Sequence, residues 1–145
     1  MSFRGHETVD HTADMGVRGW GRTPAEAFEE AAAAMIELGV NATGISSSRE
    51  IRFSRTADDL KGLLLEFLNG LIAEADLSRT MVIGVRVLRL ERRDGNWIVE
   101  AVADVVPFAA VKDRLLVEVK AATYYGASVQ EGKPGVWVAQ CVVDL

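Results

Sequence analysis

Cys141 is the only cysteine in this 145-residue chain. No internal disulfide can form, and the cysteine–histidine sets of structural zinc sites are excluded. Histidine is almost as scarce, with only His6 and His11, so no multi-histidine centre can be assembled. No block of five like charges occurs and the formal net charge is −5, so no basic tail or stripe announces a phosphate-binding surface. Strong direct nucleic-acid binding is therefore not expected. Every apolar run falls short of the roughly 20 residues needed to cross a bilayer, and Met1–His6 lacks the apolar core of a signal peptide. With an isolated thiol suited to a reducing compartment, the expectation is a soluble, cytoplasmic protein with no membrane partner.

What is present suffices for one good core: 49% of residues are hydrophobic, and the length suits a single domain over 1–145. Thr23-Pro24-Ala25-Glu26 has capping-box spacing with proline at the first helical position. Phe28, Ala31, Ala32, Met35 and Leu38 follow at helical intervals, and Gly39 offers a stop. A second helix is expected from Thr56-Ala57-Asp58-Asp59 onward, with Leu60, Leu63, Leu64, Phe67, Leu68, Leu71, Ile72 and Ala75 as its apolar stripe. Other periodic segments read as strands: Met15–Trp20, Arg49–Arg55, Met81–Glu91, Trp97–Val105, Leu115–Thr123 and Trp137–Asp144. Arg93-Asp94-Gly95-Asn96 joins the third and fourth of these as a hairpin turn, and Gly126–Gly135 reads as a connection. The resulting order predicts an α+β fold, a mixed or antiparallel sheet with two helices packed on one face.

Nucleophilic catalysis finds little material. Cys141 alternates with Trp137, Ala139 and Val143 as a small buried hydrophobe would, and no Gly-x-Ser-x-Gly elbow or glycine-rich phosphate loop occurs. His11 beside Asp10 reads first as a structural hydrogen-bonding residue. Arg86, Arg89, Arg92 and Arg93 gather around the hairpin, where a solvated strand edge is the simpler reading than an RNA-contact patch. The carboxylates at the two ends of the chain are more informative. Asp14, Asp144 and the terminal carboxylate on Leu145 would meet if the first and last strands lie side by side. An oxygen-only donor set suits calcium or magnesium rather than zinc or copper. The plain competitor is an aspartate capping a turn and a second one solvated at the chain end.

Asp10-His11-Thr12-Ala13-Asp14-Met15-Gly16-Val17-Arg18-Gly19-Trp20-Gly21, followed by Thr23-Pro24-Ala25-Glu26-Ala27-Phe28, resembles the opening of archease, the small accessory protein of the RNA-splicing ligase RtcB. Leu63–Leu71 is similar to the family's second helix, Val117–Tyr124 to its penultimate strand and Trp137–Leu145 to its terminus, in the same order along the whole chain. The resemblance implies a strand-helix-strand-strand core and a divalent cation near the two ends, calcium first with magnesium or manganese as alternatives. Its motifs carry the ligands over to Asp14, Asp144 and Leu145. It further implies a non-catalytic role, promoting guanylylation and multiple turnover of RtcB in tRNA splicing and RNA repair. Three crowded carboxylates would repel by several kcal/mol at low effective dielectric without a cation. Two departures stand out: the family commonly has histidine where this chain has Tyr125, and the apolar stretch 105–111 replaces a more polar loop. Partner contacts made there are not carried over. Two other functions fit the residues, a metal-dependent phosphoester hydrolase with Asp10 or His11 as base and a non-enzymatic adaptor or chaperone-like binder.

Overall fold

The computed structural model describes residues 3–11 and 14–145, with nothing said of the His11 side chain; Thr12 and Ala13 of the opening motif lie outside the described residues. The fold is α+β. Among the described residues, strands β1 (Gly5–His11), β2 (Asp14–Gly21), β3 (Arg49–Ala57), β4 (Thr80–Arg93), β5 (Asn96–Pro107), β6 (Ala121–Glu131) and β7 (Trp137–Asp144) accompany helices α1 (Pro24–Gly39) and α2 (Leu60–Ser78). A short 3-10 segment spans Phe108–Arg114.

Helix α1 begins where its capping residues put it. The Thr23 hydroxyl accepts the Glu26 N–H at 3.1 Å, and Glu26 reaches back to the Arg22 N–H at 3.0 Å, which satisfies two donors near the helix start. Helix α2 is capped by Asp59, whose carboxylate accepts the Gly62 N–H at 2.7 Å. The start lies later than Thr56 because Thr56 and Ala57 remain in β3, paired with Ile98 and Trp97. The β4–β5 turn uses Asp94 and Gly95 at φ 53° and 83°, the doubly positive pair a two-residue hairpin requires.

The strands divide into two sheets rather than one. Their orders are β1-β2-β7-β6 and β3-β5-β4, and every pairing is antiparallel. Both helices pack against both sheets, so α2 is buried over a broad surface that includes Leu63, Leu64, Leu65, Phe67, Leu68 and Leu71. Phe67 sits between Phe28 of α1 and Phe53 of β3, with ring centroids 5.5 and 6.1 Å away. Gly19 shows how closely α1 lies on β2: a Cβ there would fall 2.1 Å from the Ala31 nitrogen, a collision with backbone that only glycine avoids.

Two strand expectations are corrected. Gly5–His11 is a strand, although nothing in its apolar pattern announces it. The closing strand begins at Ala121, not Leu115, because the Leu116 and Val117 N–H groups donate to the Gly39 and Leu38 carbonyls at the end of α1, at 2.9 and 3.1 Å. Pairing with β7 starts at Ala121↔Asp144 and runs to Glu131↔Trp137, with a register shift between Thr123 and Ser128. Gly126, at φ 64°, lies within that shift. The segment 126–131 is thus strand, and the connection shrinks to 132–136.

Candidate metal centre

The pairing of β2 with β7 brings the two acidic ends together. Met15 lies opposite Val143, and one step further along the same register places Asp14 opposite Asp144. On the flanking strands His11 pairs with Asp14 and Ala121 with Asp144. A single row thus runs His11, Asp14, Asp144, Ala121 across four strands. Directly opposed residues in an antiparallel pair project to one side with Cβ atoms about 4.5–5.5 Å apart. Val17 and Cys141, opposed and buried, mark the core side, so the aspartates share the outer side. Asp14 is half-buried and Asp144 exposed. The Leu145 side chain packs on the main core cluster, which ties the chain end to this corner.

The same alternation separates two neighbours that adjacency in sequence would join. Asp10 pairs with Met15 and therefore belongs to the helix-facing side, opposite to Asp14. His11 stays in the row of Asp14.

Among the described residues, no ion pair involves Asp14 or Asp144. Arg18, two rows along the outer side, donates to Glu7 at 2.6 Å and to Gln140 at 2.9 Å. The described side chains bring no three histidines, cysteines, aspartates or glutamates into one ligating group. A cation at this corner would therefore take two aspartates and complete its shell with the chain-terminal carboxylate, backbone oxygens and water. That all-oxygen set fits a hard divalent cation.

Two side-chain anchors of the sheet that carries the corner were not expected from the sequence. Asn69 of α2 donates from Nδ2 to the Ala122 carbonyl at 3.0 Å, and its Oδ1 accepts the Ala122 N–H at 2.8 Å. It grips β6 one residue beyond the partner of Asp144. The only signal for it was a lone amide beside the apolar stripe of α2. On the other flank β1 is fastened to α1 by charge. Arg4 donates to Glu29 and Glu30 at 2.7 and 2.6 Å, and His6 bridges Glu30 and Glu37 at 2.7 and 2.9 Å. Burial works against a charged His6, but the two carboxylates outweigh it and lift its pKa above the ordinary 6.5. Burial likewise opposes ionisation of Glu30, yet His6 and Arg4 hold its pKa below the usual 4.5. Glutamates recurring at 29, 30 and 37 on an apolar helix were the available hint.

Cys141 is buried, and burial pushes its thiol up to about 12. A thiol with that pKa is almost wholly protonated near neutrality and is a poor nucleophile. Three of the four hairpin arginines are engaged as well: Arg86 pairs with Glu50 and with Asp104 at 3.6 Å, and Arg89 and Arg93 reach Glu91 at 3.4 and 2.6 Å. No helix among the described residues is long and apolar enough to cross a membrane.

These features define a class: a small α+β protein with two antiparallel sheets sharing two helices, and an acidic corner where its second and last strands run side by side. The sequence profile of the Archease protein family (MTH1598/TM1083) matches residues 6–145, and the chain belongs to that family. It is 36% identical over 143 residues to protein archease of Pyrococcus furiosus, covering 99% of this chain and 100% of the relative. It is 34% identical over 146 residues to protein archease of Aeropyrum pernix, covering 100% of both. The solution structure of Methanobacterium thermoautotrophicum protein 1598 superposes with a TM-score of 0.82 at 25% identity, over 97% of this chain and 99% of that one.

Proposed function

We propose that this protein is a non-catalytic, cytoplasmic activator of the RNA-splicing ligase RtcB, promoting guanylylation and multiple turnover of the ligase in tRNA splicing and RNA repair. In this reading Asp14, Asp144 and the carboxylate of Leu145 hold a divalent cation, calcium first and magnesium or manganese as alternatives. The family match across residues 6–145 carries the reading, since it spans both halves of the acidic corner. A bound cation would supply the positive charge that lets the carboxylates sit together. Asp14 and Asp144 would orient the corner, Asn69 would fix the adjoining strand, and the ion pairs of Arg4 and His6 with α1 would fasten the far end of β1. Activation of this kind is a shift in ligase conformers, limited by the difference in affinity for the two states. A chain of net charge −5 gains little from phosphates, so docking on the ligase protein is favoured over docking on RNA.

The deciding experiment is single-turnover guanylylation of a cognate RtcB with GTP and divalent metal, with and without this protein, followed by ligation of a 3′-phosphate or 2′,3′-cyclic-phosphate RNA to a 5′-hydroxyl partner. The wild type should stimulate both steps and show no ligase or phosphatase activity alone, while Asp14→Ala should lose most of the stimulation. Calcium titration by calorimetry should show affinity weakened about 10- to 150-fold in Asp144→Ala or on removal of Leu145, the loss of one charged contact worth about 1.5–3 kcal/mol. Full stimulation by Asp14→Ala would overturn the ion-dependent part. One observation favours a second reading: the backbone register pairs position 11 with Asp14, so a histidine stands next in register to a proposed ligand, as the base of a metal-dependent phosphoester hydrolase would need. Phosphatase activity that requires His11 would select it.

A further inference from the structure

A groove of about 490 Å³ lies away from the acidic corner, where the C-terminal turns of both helices meet β4 and the extended segment 115–119. Its walls include Ile36, Ile72, Met81 and Val119. At its edge Phe108, Leu115, Leu116 and Val117 are 43%, 36%, 61% and 43% exposed. Four large apolar side chains left in water around one concavity are unusual for a surface with no partner, and the volume lies in the range of ligand and peptide pockets.

The electrostatics of the groove favour one kind of occupant. The charged residues that line it, Asp76 and Glu118, are both acidic. Both helices end at it, and neither carries a basic residue in its last turn; each helix C-terminus adds about half a negative charge. Arg79, the cap residue of α2, is exposed and outside the lining. We propose that this groove docks a segment of a partner protein that presents large apolar side chains next to a lysine or arginine. The apolar groups would fill the cleft as anchors, and the cation would meet Asp76, Glu118 and the two helix ends. An anionic lipid headgroup would be repelled from the same place. A second copy would bring its own acidic groove and its net charge of −5 against this one. The proposal stands independently of the cation and of the ligase.

The test uses the full chain, labelled with nitrogen-15, and three synthetic peptides of equal length. The first alternates leucine and phenylalanine with lysine, the second replaces lysine by glutamate, and the third keeps lysine but replaces the apolar residues by serine. The first peptide should saturate amide shifts at Gly39, Ile72, Leu116 and Val117. The second should bind about five- to tenfold more weakly, as removal and reversal of a few partly exposed charge contacts imply, and the third should leave the spectrum unchanged. Leu116→Asp should lose the first peptide, and the double variant Asp76→Lys with Glu118→Lys should come to prefer the second. All three positions are exposed, so thermal melts of these variants should follow the wild type. Equal affinity for the first two peptides, or shifts located elsewhere, would overturn the proposal. So would a dimer in sedimentation that Leu116→Asp dissolves, or Leu116-dependent binding to phosphatidylglycerol vesicles.

Discussion

The outer side of the β3-β5-β4 sheet and the acidic end of the β1-β2-β7-β6 sheet are both rich in charge, and they treat it in opposite ways. On the first, arginines face carboxylates across the strands, Arg52 pairing with Glu100 at 3.0 Å and Arg86 with Glu50 and Asp104, while Arg93 pairs with Glu91 along β4. Much of the charge there is matched within the sheet. At the other end Asp14 and Asp144 are brought into one row without a cationic partner among the described ion pairs. Like charges set side by side by strand register cost free energy, a cost that solvation of the exposed Asp144 lowers and that the proposed cation would offset. Composition alone would have singled out the arginine-rich hairpin; register singles out the aspartates.

The largest effect comes from removing what both regions rest on. Phe67 is fully buried between the two sheets and bridges Phe28 and Phe53. Phe67→Ala should lower stability by about 3–5 kcal/mol through lost burial and a cavity, read in urea melts. An unchanged midpoint would mean that the sheets do not depend on a shared core. A smaller change isolates the corner. Asn69→Leu removes both side-chain bonds to Ala122 and leaves that strand's N–H and carbonyl unpaired, at about 1–3 kcal/mol. Amide exchange at Ala122 should rise while exchange in the β4–β5 hairpin stays as it was. Equal loosening of both would erase the distinction between the regions.

Next in size is the charged attachment of β1. His6 has a raised folded pKa, so its contribution is fully present below the unfolded value of 6.5 and is lost as pH rises through the folded value. Glu30 has a depressed one, so its contribution is present above 4.5 and is lost as pH falls through the folded value. Both operate together between those limits. His6→Gln should flatten the decline in stability on the alkaline side of 6.5, by about 1 kcal/mol or less, and leave the acid limb in place. An identical alkaline limb in the variant would remove His6 from this role.

The elements legible in the sequence are those whose signals are local. Thr23, Pro24 and Gly39 bound α1, and Asp94-Gly95 marks the hairpin, because caps and positive-φ turns are fixed by the residues that form them. Strand β1 was hidden because its helix-facing positions are His6, Thr8 and Asp10, and its attachment runs through ion pairs to α1 rather than through apolar burial. The start of β6 was misplaced because the alternation at 115–119 belongs to extended chain bonded to the end of α1. Hydropathy reports which side of a segment is buried; it is silent on which neighbour takes the backbone hydrogen bonds. The acidic corner was half legible: Asp14 and Asp144 are evident in composition, but only pairing places Asp10 on the opposite side from Asp14.

The smallest effect tests the matched side of the comparison. The Arg52 and Glu100 side chains are 66% and 25% exposed, so water screens their attraction and ordering Arg52 costs side-chain entropy. A pair of this type is worth about 0.2–1 kcal/mol. Arg52→Ala and Glu100→Ala, singly and together, should give a coupling energy in that range in a double-mutant cycle and leave calcium affinity at the acidic corner unchanged. A coupling near zero would mean that the sheet tolerates these charges without using them. A larger coupling, accompanied by altered calcium binding, would show that the two regions communicate through the helices they share.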